Sequence, residues 1–312
     1  MADSILDIRP MPIGAEIPNL RPGDERDPTI RSALYDAWLE HGILLFRNVE
    51  TVEQHLSLSE AFGELEQHPF IAVRSKVHPM LMDVGGGDRR AAYVYDEKDI
   101  LVNRIGWHRD TADTPAPCKG SMLRMIELPD RGGDTLFWDT ARAWADLPKA
   151  TQARLEQLST IQMMRVVPPP RTWGMPGMVA TAADIDKDRG MGFPDEWPMV
   201  LHPMVITHPE SGLKSLLLSP NGYVRIESMA QAESDELFEE IACHTMSQPY
   251  EYRHKWSIGD MLLWDNRRMI HMAEGWPFEQ TRYAHRTTLK GGMEVGRYYT
   301  DAEGHSTMSA YA

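Results

Sequence analysis

Short apolar runs separated by turn residues fill most of the chain after Ser121, and they restrict the fold more than any other feature. Each run has about four to eight residues, which suits a β-strand and is too short for most helices. Gly, Pro and Asn stand between the runs, as they do in the turns of hairpins. The runs cover Met122–Leu128, Thr135–Trp138, Val200–Ile206, Lys214–Leu218, Glu251–Trp256, Met261–Trp264 and Tyr283–Leu289. Many short strands with few helices predict a mainly β protein, built as a sandwich or a barrel.

A few helices accompany this β-rich region. Near the N-terminus, Asp27 followed by Pro28 is typical of a helix start, and Gly42 is typical of a helix end. Thr51 and Gln54 form a capping-box pattern at the start of a second helix. These helices are expected to flank the strands. Two more are predicted later in the chain, over 141–158 with a break at Pro148 and over 234–244.

Residues 1–312 are predicted to form a single domain with one insertion. The stretch 163–204 has no clear periodicity and combines prolines and glycines with Trp173, Trp197 and several methionines. Long irregular connections are usually lids or disordered inserts, and disordered segments lack such large apolar side chains. The sequence therefore favours an active-site lid over 163–204, with a flap that merely covers the core as the alternative. Residues 297–312 are predicted to be a loose C-terminal tail.

Charge and cysteine content exclude several classes of partner. The formal net charge is -14, so no broad basic surface is expected for nucleic acid or for an anionic membrane. No run approaches the roughly 18 apolar residues of a membrane helix. Cys118 and Cys243 are the only cysteines, which fits the reducing cytoplasm, and the first residues do not resemble a signal peptide. The protein is therefore predicted to be cytoplasmic.

A candidate metal site lies at the His-x-Asp sequence within Gly106–Asp110. On a strand, the side chains of His108 and Asp110 would point to the same face. They are two of the three ligands of the His-His-carboxylate facial triad, which binds Fe(II) and leaves positions open for substrate. His271, which follows a strand and a polar turn, is the best candidate for the third ligand. Taken alone, each histidine could also be structural, but with this metal motif a jelly roll is the leading fold.

Two arginines after His271 indicate an anion site. Arg282 and Arg286 are four residues apart, so on a strand their guanidinium groups would point into the same cavity. Arginine favours bidentate recognition of carboxylates or sulfonates. Alternatively, both arginines could be solvated and paired with surface acids. An acidic protein that gathers arginines in one place is expected to bind a small anionic molecule.

Six stretches of the chain form a recognisable series. They are Ala61–Leu65 with His68-Pro69, Trp107–Asp110, Gly132–Phe137, Leu201–Pro203 through Thr207–Pro209, Trp264–Arg267 with His271, and His285-Arg286. In this order they resemble the taurine/2,4-dichlorophenoxyacetate dioxygenases (TauD/TfdA), a branch of the Fe(II)/2-oxoglutarate-dependent oxygenases. Six motifs in one order are far more specific than any one of them. The resemblance implies a double-stranded β-helix (jelly roll, cupin-like) core, and it covers neither the insertion nor the tail.

The resemblance also implies a role for each candidate site residue. His108, Asp110 and His271 would be the ligands of Fe(II). Thr135 and Arg282 would bind the distal carboxylate of 2-oxoglutarate, the cosubstrate that reacts together with O2. The products of the cosubstrate would be succinate and CO2. The protein would then have to position the substrate and exclude water.

The substrate is predicted to be a small anion with a largely apolar body. By the resemblance, Arg286 would bind its anionic group or brace the near end of the cosubstrate. His68 stands where the family places a substrate contact, although a histidine before proline is often structural. Tyr223 would line the pocket or pack in the core. An aromatic or alicyclic body would suit the side chains of Trp173, Met175, Met178 and Trp197.

The leading hypothesis is hydroxylation of an apolar carboxylate or sulfonate, with ether or C–S cleavage where the hydroxylated carbon bears a leaving group. The same triad would support desaturation, epoxidation or rearrangement in natural-product biosynthesis. Two alternatives lie outside this class, a non-catalytic jelly-roll metal-binding protein and a metal-dependent hydrolase. The set of Thr135, Arg282 and Arg286 argues against both, because neither protein needs a 2-oxoglutarate pocket. Family analogy implies a homo-oligomer, a dimer or a tetramer.

Overall fold

Helices begin and end near the residues that the sequence marks for them. The computed structural model describes residues 6–86, 92–96, 99–165, 173, 181–182, 194–247 and 249–309. Asp27 caps the first helix by accepting two backbone hydrogen bonds, Gly42 ends it with φ of 74°, and Thr51 and Gln54 form the predicted capping box of the second. The helices in these residues are α1 (Pro28–His41), α2 (Val52–Glu60), α3 (Thr140–Ala145), α4 (Lys149–Leu155) and α5 (Gln231–Thr245). None of them is long and apolar enough to cross a membrane.

The strands in the described residues are short, as predicted. In the first half of the chain they are β1 (Arg9–Pro10), β2 (Ala15–Glu16), β3 (Ile43–Phe46), β4 (Leu65–Glu66), β5 (Met82–Gly85), β6 (Ala92–Asp96), β7 (Asp99–Val102), β8 (Ile105–His108), β9 (Gly120–Glu127), β10 (Thr135–Asp139) and β11 (Ser159–Gln162). In the second half they are β12 (Thr181–Ala182), β13 (Glu196–Pro198), β14 (Val200–Pro203), β15 (Val205–Thr207), β16 (Lys214–Leu216), β17 (Tyr223–Ile226), β18 (Glu251–His254), β19 (Met261–Asp265), β20 (Met269–Ala273), β21 (Trp276–Pro277), β22 (Tyr283–Leu289), β23 (Arg297–Tyr298) and β24 (Thr307–Ser309).

Two sheets face each other and form the frame of the fold. The larger sheet has the strand order β1-β2-β3-β19-β9-β22-β4, with β5 also paired to β22, and the smaller has the order β18-β10-β20-β8. The apolar layer between them takes Leu123, Leu262 and Ala284 from the larger sheet and Phe137 and Met269 from the smaller one. The mainly β, jelly-roll core that the sequence predicts is therefore confirmed.

Helices cover the outer faces of this sandwich. Successive side chains of a strand point to opposite faces, so Met122 of β9 turns away from the apolar layer and shares a buried cluster with Trp38 of α1 and Leu58 of α2. On the other side, Trp138 of β10 shares a buried cluster with Phe238 of α5. The predicted flanking of the strands by helices is thus observed on both faces.

Strand β22 shows how the fold directs an arginine into the space between the sheets. Ala284 belongs to the apolar layer between the sheets, so Arg286, two residues further on, points into the same space. Thr287 points to the outer face, where its Oγ1 lies 3.2 Å from Nε2 of His55 in α2. Alternation along β22 therefore places the charge of Arg286 inside the sandwich and the hydroxyl of Thr287 beneath helix α2.

Most of the predicted lid at 163–204 lies outside the described residues. Trp173 is described, and it packs nearly at right angles on Tyr223 and Phe238, with ring centroids 5.0 and 5.3 Å away. It is 6% exposed and belongs to the buried cluster beneath α5. This tryptophan therefore packs in the core. The end of the insertion forms β13 and β14.

The tail beyond residue 296 is attached to the end of the insertion. Strand β23 pairs with β14, and β24 pairs with β13. Tyr299 between them is 7% exposed. The segment 297–309 is therefore anchored by two strand pairings, because the strands of the insertion offer edges to which a further strand can add.

The buried His55 makes the free energy of unfolding depend on pH. Burial, together with the positive charges of Arg124 and His285, lowers the pKa of His55 from its ordinary value to about 3. The unfolded chain takes up a proton on this imidazole below about pH 6.5, whereas the folded chain does not. The contribution of neutral His55 to the free energy of unfolding is therefore fully present above about pH 6.5 and is lost as the pH falls below it. We expect His55 to contribute a loss of about 2 kcal/mol between pH 7 and pH 5.

Chemical denaturation of the wild-type protein and of His55→Gln at the two pH values would measure this contribution. Glutamine can still bond to Thr287 but does not titrate in this range. The free energy of unfolding should fall by about 2 kcal/mol less in the variant. Equal losses in the two proteins would contradict the assignment to His55.

Candidate active site

Three side chains with metal-binding donor atoms converge between the two sheets. His108 is the last residue of β8, and it is paired directly with His271 of β20. The centroids of the two imidazoles are 4.2 Å apart, and Oδ1 of Asp110 lies 3.7 Å from Nε2 of each. The donor atoms all lie within 4.8 Å of one another. Two imidazoles and one carboxylate at this spacing could hold one metal ion.

The sequence predicts Asp110 on the same strand as His108, but in the structure Asp110 reaches this site from a turn. Strand β8 ends at His108, and Thr111 takes a left-handed φ of 54°, which is unusual for a β-branched residue. The side chain of Asn266 holds the turn, because it accepts from the N–H of Asp110 at 3.0 Å and donates to the carbonyl of Asp110 at 2.9 Å. The turn and Asn266 therefore decide where the carboxylate points.

Two further residues that the sequence analysis missed surround Asp110. Ser121 Oγ donates to Oδ2 of Asp110 at 2.8 Å, and the other oxygen, Oδ1, lies on the side of the two imidazoles. Arg109 is buried, donates to Thr140 Oγ1 at 2.8 Å and to the Leu216 carbonyl at 2.5 Å, and has its pKa lowered to about 9 by burial. It ties the turn of Asp110 to the segments of Thr140 and Leu216. These contacts join residues far apart in the chain, so no local pattern could reveal them.

The protonation states of the three donors suit a metal ion. His108 Nδ1 lies 2.7 Å from the Gly106 carbonyl. Since a carbonyl can only accept, Nδ1 carries the proton and Nε2 presents its lone pair to the site. Burial lowers the pKa of His108 and of His271, which keeps both imidazoles neutral. Burial alone would raise the pKa of Asp110, but the positive charge of Arg286 and the hydrogen bond from Ser121 oppose it, and the pKa lies well below its usual range.

We expect Asn266→Ala to weaken metal binding although it removes no ligand. The Asn266 amide also donates to the Cys118 carbonyl at 3.0 Å, so alanine would release the whole turn that carries Asp110. Loss of such supporting bonds typically lowers metal affinity by about 10- to 100-fold. Competition with a chelating dye would measure the affinity, with the exposed Asn19→Ala as the matched control. Equal metal affinities in Asn266→Ala and Asn19→Ala would contradict the role of Asn266 in positioning Asp110.

Arg286 brings a positive charge to the donors from the opposite sheet. Its Nη1 lies 2.9 Å from Oδ1 of Asp110, and its side chain is 13% exposed. Its Nε is buried and has no hydrogen-bond partner among the described residues. The guanidinium therefore retains a donor with which it could bind a second anion beside Asp110.

Arg282 is more deeply buried and also has an unused donor. It is 1% exposed, burial lowers its pKa to about 10, and its Nε donates to the Gly133 carbonyl at 2.8 Å. Its Nη2 has no hydrogen-bond partner in the described part of the chain. Gly133, with φ of 76°, makes this approach feasible, because a Cβ there would lie 2.9 Å from Cδ of Arg282. A buried charge with an unsatisfied donor indicates an anion-binding site.

Thr135 follows Gly133 by two residues and begins the strand that pairs with the strand of His271. It is 3% exposed, and its Oγ1 accepts from Trp256 Nε1 at 3.0 Å. In strand β10 it stands two residues before Phe137, which is the direct partner of His271 in β20. The hydroxyl can still donate one hydrogen bond of its own.

His68 lies in the loop after β4, within range of the charges of Arg286 and Asp110. Burial lowers its pKa to about 4, and the positive charge of Arg286 adds to the effect while Asp110 opposes it. The imidazole is therefore neutral at pH 7 and lies close enough to both groups to respond to their charges. Its Nδ1 accepts from the N–H of Phe70 at 3.2 Å, so Nε2 carries the proton and can donate.

Tyr223 does not line this site. It is 2% exposed, its ring stacks on Phe238 at 3.7 Å, and its hydroxyl lies 2.5 Å from Oγ of Ser234. It belongs to the buried cluster beneath α5, on the outer side of the smaller sheet. The prediction of a substrate contact at Tyr223 is corrected, and core packing is its role.

Comparison with known proteins agrees with this geometry. The family model described as "Taurine catabolism dioxygenase TauD, TfdA family" matches residues 6–288. The chain is 32% identical to the (S)-phenoxypropionate/alpha-ketoglutarate-dioxygenase of Sphingobium herbicidovorans, over 83% of this chain and 85% of that protein. It is 30% identical to the alkylsulfatase of Acinetobacter baylyi, over 92% and 84%. A taurine dioxygenase structure from Burkholderia xenovorans matches with a TM-score of 0.72 at 25% identity, over 97% and 94%. The chain therefore belongs to the TauD/TfdA family and is an α-ketoglutarate-dependent dioxygenase.

Proposed function

We propose that His108, Asp110 and His271 hold Fe(II), and that the enzyme hydroxylates a small anion with a largely apolar body. The observation that carries this proposal is the convergence of two neutral imidazoles and one ionised carboxylate within 4.8 Å. Fe(II) takes such a donor set and keeps further coordination positions open. When bound, Fe(II) and 2-oxoglutarate (α-ketoglutarate) supply O2 activation, conversion of the cosubstrate to succinate and CO2, and oxidation of a C–H bond.

Arg282 and Thr135 are proposed to bind the distal carboxylate of 2-oxoglutarate. The support is the unpartnered Nη2 of a guanidinium that is 1% exposed. A carboxylate there would neutralise a buried charge and satisfy its donor in one contact. The Thr135 hydroxyl can donate to the same carboxylate while it continues to accept from Trp256.

Arg286 and His68 are proposed to bind the anionic group of the substrate. Nε of Arg286 is unused, and His68 is a neutral donor that responds to the charges of Arg286 and Asp110. Together they suit a carboxylate, a sulfonate or a sulfate. The two relatives named above, a phenoxypropionate dioxygenase and an alkylsulfatase, support an anion whose apolar part is an aryl or alkyl group. The chain would hold the reacting C–H in place and exclude water.

The visible spectrum of the anaerobic protein tests the metal and cosubstrate assignment. Addition of Fe(II) and 2-oxoglutarate should produce the weak charge-transfer band of the chelate, and Zn(II) in place of Fe(II) should not. A missing band with Fe(II) would contradict the proposal. Succinate formation across a panel of aryloxy carboxylates, alkyl sulfates and alkyl sulfonates would then test the substrate class. If none of these anions stimulates turnover, the substrate assignment is wrong.

A further inference from the structure

A tryptophan fixes the orientation of the Thr135 hydroxyl. Nε1 of Trp256 lies 3.0 Å from Oγ1 of Thr135, and an indole N–H can only donate. The bond therefore uses a lone pair of the hydroxyl oxygen and leaves the hydroxyl proton for another acceptor. Thr135 is 3% exposed, so bulk water competes little for that proton.

The direction of this bond matters for an anion. A carboxylate can only accept, so Thr135 helps to bind one only when its hydroxyl proton faces the anion. Without the indole N–H, the hydroxyl can turn about its C–O bond and present a lone pair instead. A hydroxyl that accepts a hydrogen bond is also a stronger donor, by about 10–30%. Trp256 thus improves Thr135 as a donor for a carboxylate.

His254 fixes the indole of Trp256. The two rings are nearly perpendicular, at 89°, and their centroids are 4.4 Å apart, which is an edge-to-face arrangement that aromatic rings favour. His254 stands directly opposite Thr135 in the pairing of β18 with β10, so the two side chains lie on the same face of the smaller sheet. The three residues therefore form one buried group at the end of that sheet.

Two polar groups hold His254 in turn. The hydroxyl of Tyr252 lies 2.8 Å from Nδ1 of His254, and Oδ2 of Asp260 lies 3.2 Å from Nε2. Asp260 is 2% exposed, and Arg47 Nη1 donates to both of its carboxylate oxygens, at 2.9 and 2.8 Å. Apolar side chains of similar volume would stabilise this layer as well as a buried His–Asp pair does. The pair is therefore better explained by the fixed position that it gives to Trp256.

We propose that Trp256, held by His254, is a positioning residue for the cosubstrate. It turns the hydroxyl proton of Thr135 toward the distal carboxylate of 2-oxoglutarate, and it thereby makes the enzyme select 2-oxo acids that carry a second carboxylate. The inference rests on the proposed function, because Thr135 and Arg282 must bind this carboxylate for the orientation of the hydroxyl to matter. Arg282 supplies the charge, and the hydroxyl supplies a bond that depends on direction.

Two 2-oxo acids of the same chain length separate this role from a general effect on structure. 2-Oxoglutarate has a carboxylate at its far end, and 2-oxopentanoate has a methyl group there. Each would be titrated without oxygen into protein loaded with Fe(II), with the charge-transfer band as the measure of binding. Trp256→Phe keeps an aromatic ring but removes the N–H. We expect it to weaken the binding of 2-oxoglutarate by about 3- to 10-fold, the range of one hydrogen bond, and to leave that of 2-oxopentanoate unchanged.

The matched control is the same substitution at Trp38 of α1. Trp38 is 1% exposed, and its Nε1 has no hydrogen-bond partner in the described part of the chain. Trp38→Phe therefore removes no such bond, and both acids should bind to this variant as they bind to the wild-type protein.

A second variant changes the support of the indole. His254→Leu keeps the N–H of Trp256 but removes the ring that packs against it and the contact with Asp260. It should show the same selective loss to a smaller degree, about 2- to 5-fold. This variant also tests the inference if Trp256→Phe does not fold, and equal binding of 2-oxoglutarate to His254→Leu and to the wild-type protein would then count against it.

A double variant tests whether Trp256 acts through Thr135. Thr135→Val removes the hydroxyl at nearly unchanged volume, and it should weaken the binding of 2-oxoglutarate by about 10-fold or more, since the lost bond is to a charged group. Addition of Trp256→Phe to Thr135→Val should cause no further loss. Additive losses would overturn the inference, because Trp256 would then act without the hydroxyl.

Failure of the inference and failure of the proposed function look different. A folded Trp256→Phe that keeps the wild-type affinity for 2-oxoglutarate would overturn the inference, and so would one that loses affinity for both acids equally. In both cases the wild-type protein still shows the band and still prefers 2-oxoglutarate. If the proposed function is wrong, the wild-type protein itself shows no band with either acid, or it binds both acids equally.

Discussion

Replacement of His108 by alanine is expected to lower succinate formation by about 100-fold or more. Loss of a bond that merely supports a ligand costs about 10- to 100-fold in metal affinity, and this variant removes a donor itself. Asp110 and His271 alone would leave two protein donors, too few to hold the metal in a defined geometry. Bound metal and succinate should be measured on the same preparation, because both are expected to fall together.

The matched control for this variant is His41→Ala. His41 lies in the last turn of α1 and takes no part in the site, so its loss should leave succinate formation near the wild-type value. His271→Ala should be as severe as His108→Ala, since each imidazole supplies one donor. Full metal content together with full turnover in either site variant would show that the metal binds elsewhere.

Replacement of Arg282 by leucine is expected to raise the KM for 2-oxoglutarate by about 100-fold or more. The guanidinium is 1% exposed and its Nη2 has no partner among the described residues, so the distal carboxylate of the cosubstrate would lose its charged partner in a buried site. Arg282→Lys keeps the charge but loses the planar pair of donors, and it should show a smaller loss. Turnover at several cosubstrate concentrations measures the effect.

Thermal unfolding separates this effect from a loss of structure. Removal of a buried charge that lacks a carboxylate partner should not destabilise the fold. Bound 2-oxoglutarate stabilises only a protein that binds it, so it should raise the Tm of the wild-type protein and leave that of Arg282→Leu unchanged. Arg253→Leu, at a partly exposed ion pair with Asp134, serves as the arginine control. An unchanged KM for 2-oxoglutarate in Arg282→Leu would contradict the assignment of Arg282 to the cosubstrate site.

The strands and helix ends could be predicted because their causes are local. Asp27 accepts from the backbone N–H groups of the turn that follows it, and Gly42 stands at the helix end because its φ is positive. The alternation in β22 likewise depends only on neighbouring residues. The metal-site candidates were found in the same way, from residue types that bind metal ions and from the order of motifs along the chain.

Predictions of side-chain surroundings failed where distant segments meet. Tyr223 and Trp173 are large aromatic residues that suit a binding pocket and a buried core equally well, and only their contact with Phe238 of α5 places them in the core. Residues 297–312 were predicted to be a loose tail. Its pairing with β13 and β14 depends on strands about 100 residues earlier in the chain.

By itself, the sequence determined the β-rich class, the helix boundaries and the identity of the donor residues, because backbone preferences and metal chemistry belong to each residue and its near neighbours. Only the tertiary structure decided how those donors meet. Asp110 lies in a turn held by Asn266, Arg286 crosses from the opposite sheet to reach Asp110, and β24 pairs with β13 from the far end of the chain. Each of these contacts spans more than 100 residues, and its geometry exists only after the two sheets have packed.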